Sequence, residues 1–238
     1  VEGGDLASVL PYISGAFAHP ADALPRPASE DDDGPLLVWH DADQVPPSGG
    51  PLDNQLWGDL FIDGSCTRHP IRELSRASSC VAMVDGGGRC VAEFRAPVWA
   101  SYPQTPQSAE FSAYTWAHML STPGHSKAWS DCSNVVKSAG LPKGEHLSGQ
   151  RAYAGAFLQC YTTSPSLLPV EKVAAHLDLE EQGISSEERW RRQGNHWADV
   201  GAKHALELHP SLAPHAAEID KVIRAARCTL RLAARILP

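Results

Sequence analysis

Leu60, Phe61 and Ile62 form an unbroken apolar run that stops at Asp63-Gly64-Ser65. A run of that length, bounded by a glycine turn signal, predicts a buried strand with Asp63 at its end. Ser79 to Val84 and Arg89 to Phe94 alternate or run apolar on either side of Gly86-Gly87-Gly88. That pattern predicts a hairpin, and with it three consecutive antiparallel strands. If Asp85 faces Arg89, Cys80 lies opposite Phe94. Apolar residues at 109, 113, 116, 117 and 120 recur at helical spacing, so a helix is expected to open near 105–110, with Glu110 in its first turn, and to end at Pro123-Gly124.

Farther along, Lys127 to Asp131 reads as a short strand and Cys132 to Ala139 as a short helix. Ser148 to Tyr161 reads as a further helix, and the Pro-bounded stretch from Val170 to Ala175 as a strand running into His176. Leu177 to Gln193 is densely charged and reads as a solvated loop or short helix. A helix follows from about Asn195, with small residues at 198, 201, 202 and 205 that permit close approach to a sheet, and it carries Asp199. The last helix, about Leu212 to Leu237, sets Lys221, Arg224, Arg227, Arg231 and Arg235 on one side and Ile219, Val222, Ile223, Leu230 and Leu237 on the other. It is either a packed appendage or a face for nucleic acid or a partner.

Charge divides the 238 residues unevenly. Residues 1–56 hold ten acidic and one basic residue, are rich in Pro and Gly, and read as an acidic, mostly irregular linker in which Leu36 to Trp39 could dock as a short strand. Residues 57–209 are nearly neutral, with sixteen acidic and fourteen basic residues; residues 210–238 carry two and five. A folded domain over 57–209 between a linker and a basic helix is therefore expected. No apolar stretch approaches the roughly 18 to 20 residues of a membrane span, so no membrane partner is expected. The chain opens on Val1 without a signal-peptide pattern, and is expected to be a segment of a longer protein. Its six cysteines contain no C-x-x-C pair, which favours reduced thiols and an intracellular setting, cytoplasm or nucleus undetermined.

Each acidic residue has an ordinary explanation when taken alone. Asp63 could cap a strand end, Glu110 could complement a helix dipole, and Asp131 could be a helix N-cap. Together they bring carboxylates from separated segments to strand ends and helix starts. A carboxylate buried there must be paired, protonated or bound to a metal.

The local contexts D-G-S after an apolar strand, Q-S-A-E-F-S-A opening a helix, W-S-D-C before a helix, V-A-A-H, and G-N-x-x-A-D-x-x-A occur in that order over about residues 57–209. In this the chain resembles the ribonuclease H family, in particular the domain attached to reverse transcriptases of mobile elements. The resemblance implies an α/β fold with a mixed five-stranded sheet, three antiparallel strands then two parallel, flanked by helices. It implies hydrolysis of the RNA strand of RNA-DNA hybrids, and an N-terminal reverse transcriptase domain in the same polyprotein as a partner. Asp63, Glu110, Asp131 and Asp199 would hold two magnesium ions, or manganese in their place, and His176 would assist product release or water positioning. Gly64 and Ser65 would offer backbone groups to the RNA, and Gln107, Ser133 and Asn134 would place polar side chains in the minor groove, where 2′-hydroxyls distinguish RNA from DNA.

The chain departs from the family's pattern in two respects. The separation between His176 and Asp199 is long, which makes His196, one turn before Asp199, a substitute candidate. Leu141 to Arg151 carries only Lys143 and Arg151 as Lys or Arg, so no strongly basic substrate handle is visible. Two other readings stay open: a different nuclease or integrase-like activity of the same superfamily, and a catalytically silent structural or binding module.

Overall fold

The computed structural model describes residues 25–29, 34–41, 56–69, 72–175, 178–179 and 181–236. Its strands are β1 (Leu36–Trp39), β2 (Leu56–Thr67), β3 (Arg76–Val84), β4 (Cys90–Pro97), β5 (Ser121–Ser130) and β6 (Val170–Lys172). Its helices are α1 (Pro106–Leu120), α2 (Ser133–Ala139), α3 (Lys143–His146), α4 (Ala154–Thr163), α5 (Ser186–His204) and α6 (Ala216–Ile236). The strands form one mixed sheet in the order β1-β4-β3-β2-β5-β6. β2, β3 and β4 make an antiparallel meander, and β5 and β6 continue it in parallel beside β2. This is the expected arrangement with one strand added. Leu36–Trp39 pairs antiparallel with β4 and makes the sheet six-stranded rather than five-stranded.

The strand residues divide between two faces, as a period of two requires. Leu60, Ile62, Val81, Met83 and Phe94 pack with Ala113, Tyr114 and Ala117 of α1 and with Phe157 of α4. Phe61, Ala82, Val84 and Trp129 face the other way, against Ala198, Trp190 and Trp197 of α5. α5 lies very close to the sheet. A Cβ on Gly194 would stand 2.3 Å from the Phe61 ring, and one on Gly201 would stand 2.4 Å from Cys80 Sγ.

The β3–β4 turn is built by Asp85, whose carboxylate accepts from the backbone of Gly87 and Arg89, and by Gly88 at φ +83°, where L-residues are strained. Trp190 and Trp197 donate from their indole nitrogens to the carbonyls of Asp85 and Gly88, tying α5 to that turn. Because of a register shift between Met83 and Val84, Cys80 pairs with Arg95 rather than Phe94. All six cysteines are free thiols.

Several element boundaries differ from expectation. α5 begins at Ser186 rather than near Asn195, because Ser185 caps it, accepting from the Glu188 backbone at 3.1 Å. The charges that suggested a loop instead lie one turn apart, as Glu187–Arg191 and Glu188–Arg192 pairs on the helix. β5 starts at Ser121, directly after α1, and runs past Pro123-Gly124 with Gly124 at φ +75°. α4 starts at Ala154 rather than Ser148, and β6 ends at Lys172 rather than Ala175. The last helix starts at Ala216, after a 3₁₀ turn over Ala213–His215. Of the acidic N-terminal stretch, two described pieces dock: β1, and residues 25–29, where Ala28 is buried and its backbone donates to His209 Nδ1 at 2.9 Å. Among the described residues no helix is long and apolar enough to cross a membrane.

Candidate active site

β5 pairs with β2 as far as Ser130 opposite Ile62. One residue later stand Asp63, still within β2, and Asp131, just past the end of β5, at the carboxyl edge of the parallel pair. Asp63 is therefore not at the end of its own strand, as the sequence suggested. β2 continues through Thr67, pairing only with β3, and the strand end that opens the site belongs to β5.

The third carboxylate arrives through an absence. Gly64 carries no side chain on the α1 face, and a Cβ there would lie 2.5 Å from the backbone of Ala109 and Glu110. α1 thus descends onto the strand at Gly64 and sets Glu110 beside Asp63. Thr105 starts the helix, its hydroxyl accepting from the Ser108 backbone at 3.1 Å, with Pro106 in the first turn. Counted from Pro106, Glu110 falls in the second turn and not the first, so it does not serve as a dipole cap.

Ligand atoms of Asp63, Glu110 and Asp131 lie within 4.8 Å of one another. Asp63 is buried and the other two are half-buried. Burial, the charge of Asp131 and, more weakly, that of Asp199 push the Asp63 carboxyl well above the usual range, against a 2.7 Å hydrogen bond from the Gly64 backbone. Burial and the neighbouring Asp63 raise Glu110 as well. Glu110 Oε2 is buried with no hydrogen-bond partner among the described residues. Crowded carboxylates with an unpartnered buried oxygen fit a hard divalent cation, which would supply the missing positive charge to an all-oxygen donor set.

Asp199 approaches from the opposite face on α5, near enough to act on Asp63 electrostatically, and is ion-paired with Lys203 at 2.6 Å. It stands outside the group of three. His176 lies outside the described residues. His196 is exposed on α5, with its ring 6.0 Å from that of Trp197.

Of the expected substrate contacts, Gln107 and Asn134 are joined, Asn134 Nδ2 donating to Gln107 Oε1 at 2.7 Å. They line a shallow open depression that also includes Lys137, Arg151 and Tyr153. Ser133 is exposed at the first position of α2, and Ser65 is half-buried on β2. The Gly64 backbone N–H is already engaged by the Asp63 carboxylate.

Two residues of the site were not anticipated as such. Asn195 is buried, donates to Asp131 Oδ2 at 3.3 Å, and has its own Oδ1 without a partner among the described residues. Its signal was present in the sequence, one helical turn before Asp199 in G-N-x-x-A-D. Lys172 donates from Nζ to the Asp131 carbonyl. Its signal is tertiary only, since it depends on β6 pairing with β5 at Ser130.

No protein-family model matches the chain, and no curated protein matches its sequence. Among solved structures it is similar to RNase H1 from the halophilic archaeon Halobacterium salinarum NRC-1, with 18% identity over 63% of this chain and 96% of that one, at a TM-score of 0.43. It is similar also to LC11-RNase H1 in complex with an RNA/DNA hybrid, with 15% identity over 63% and 96%, at 0.42. A third is the N-terminal RNase H domain of a Mycobacterium tuberculosis protein fused to maltose-binding protein, with 14% identity over 63% and 94%, at 0.38.

Proposed function

We propose that this chain is a metal-dependent endoribonuclease that hydrolyses the RNA strand of RNA-DNA hybrids. The observation that carries the reading is the convergence of Asp63, Glu110 and Asp131 at the carboxyl edge of β2 and β5. Asp63, the most enclosed, would contact both of two divalent cations, with Glu110 and Asp131 completing one site and Asp199 the other. Such ions, magnesium or manganese, activate a water and stabilise the leaving oxygen of an in-line displacement at phosphorus. Asn195 steadies Asp131 from α5, and Lys203 holds Asp199. The Gln107–Asn134 pair and Ser133 would face the minor groove beside the cleft, with Gly64 and Ser65 next to the RNA strand. The site histidine is His176 or His196. The sequence resemblance extends the proposal to a parent polyprotein carrying a reverse transcriptase.

A hybrid labelled separately on each strand tests the reading. With magnesium or manganese the RNA strand alone should be cut; Asp63→Asn and Asp131→Asn should each lower the rate by about a hundredfold to a thousandfold, on the scale of removing one catalytic group, and chelation should stop it. Absence of cleavage with either metal, or cleavage that survives Asp63→Asn, overturns it. Hybrid binding without cleavage by the parent chain would instead identify a silent binding module.

A further inference from the structure

Beyond Asp220, α6 carries cations and no acids: Lys221, Arg224, Arg227, Arg231 and Arg235, all exposed. At about 100° per residue they fall within about 120° of arc, and at about 1.5 Å per residue the first and last stand about 21 Å apart along the axis. On the opposite side Ile219 is buried and Ile223 partly so, packed with Leu212 against Leu74. Leu74 belongs to the 3₁₀ turn Arg72–Leu74 that joins β2 to β3. The helix is thus moored by its apolar side to the connection that β2 enters after passing Asp63, and its cationic arc is turned outward. The same connection presents two more exposed cations, Arg68 and Arg72.

Lys221 stands 3.9 Å from Glu218. Among the described residues no carboxylate pairs with Arg224, Arg227, Arg231 or Arg235. Like charges one turn apart destabilise a helix unless an anion lies along them. We infer that this face of α6 holds the sugar-phosphate backbone of duplex nucleic acid, as a second contact outside the carboxylate cleft. Guanidinium groups suit phosphate, which they meet with two parallel hydrogen bonds. A lipid surface suits the helix less. α6 contains no Trp, Tyr or Phe, and its docked apolar side is the one a membrane-lying helix keeps free.

The inference rests on the proposed function only for the choice of a hybrid as the natural duplex. Its test therefore reads binding without divalent ions. Anisotropy of a dye-labelled hybrid, and of a DNA duplex of the same sequence, is titrated with the full chain over a series of salt concentrations. The triple variant Arg224→Gln, Arg227→Gln, Arg231→Gln should bind about tenfold or more weakly at low salt, with a log-log salt slope smaller by about 2.7, or about 0.9 for each lost phosphate contact. The matching triple Arg→Lys variant should restore the slope, and circular dichroism should show equal helix content in all three. In the wild-type chain, alkylation of Cys228, exposed on the same arc, should slow when duplex is bound.

Equal slopes for the wild type and the glutamine variant, or Cys228 alkylation unaffected by saturating duplex, overturn the inference. So does tight binding to phosphatidylserine vesicles that duplex does not displace. Loss of RNA cleavage with the salt slope intact would remove the proposed function and leave this contact standing.

Discussion

The two faces of the sheet hold their helices by opposite means. α1 is held by volume: Leu60, Ile62, Val81 and Phe94 interlock with Tyr114 and Ala117, and the Phe94 ring packs 4.8 Å from that of Trp116. α5 is held by lack of volume, through Gly194, Ala198, Gly201 and Ala202, which bring its axis almost onto Phe61 and Cys80. Glu110 rides on the first helix and Asp199 on the second, and beside Glu110 the first helix also closes in through a missing side chain, at Gly64. Away from Gly64, the α1 face should fail when atoms are removed, and the α5 face when atoms are added.

The largest effect is expected from Phe94→Ala, which empties a fully buried position under α1. Loss of transfer energy plus the cavity should cost about 3–5 kcal/mol, read as a lower midpoint in chemical denaturation. The mirror experiment is Gly194→Ala. Its methyl would enter the Phe61 ring, and Phe61 is fully buried with Trp129 and Trp190 against it. Overpacking of this kind should cost about 1–3 kcal/mol. Since relief comes from lifting α5, it should also reduce cleavage more than its stability loss explains, by moving Asp199. Ala202→Gly, which removes atoms from that same face, should act mainly through helix propensity, at about 1 kcal/mol. If Phe94→Ala proves harmless and Ala202→Gly severe, the contrast between the faces is wrong.

The contrast also explains how much of the molecule could be read from sequence. The strands and α1 are legible because apolar side chains announce themselves by periodicity; Asp63 and Asp131 stand out because each follows a strand-like run, whereas Glu110 and Asp199 lie within helices and stand out only by their local contexts. α5 was underread. The N-terminal half of its contact is made by Gly194 and by Trp190 within a charged segment, a pattern that looks like solvated loop until the sheet is present to receive it. Asp63 looks like a strand end because the run Leu60 to Ile62 stops there. What actually stops is β5, and no local pattern in β2 reports where its parallel neighbour ends. The hairpin register differs from expectation by one residue for a similar reason, since the shift at Met83 and Val84 leaves no mark in composition.

Where the two faces meet, the carboxylates oppose the fold that gathers them. Asp63 and Glu110 titrate above their ordinary range near about 4. The folded chain therefore binds these protons more tightly than the unfolded one, and the metal-free fold loses stability as pH rises from about 4 toward their raised values. A divalent cation needs these groups deprotonated, and it offsets their mutual repulsion only in the folded state. The midpoint gain from magnesium should accordingly be larger at about pH 8 than at about pH 5. At ten times its dissociation constant the ion should add about 1.4 kcal/mol, well below the effect of Phe94→Ala and within the range of Gly194→Ala. Calcium offers a control that separates binding from turnover, because it takes the same oxygen ligands with looser geometry. Asp63→Asn should remove most of the gain at both pH values, while Asp199→Asn, which leaves the group of three intact, should remove only part. A magnesium gain that is independent of pH, or unchanged by Asp63→Asn, would mean that the cation binds elsewhere and that the two faces are not joined through this cluster.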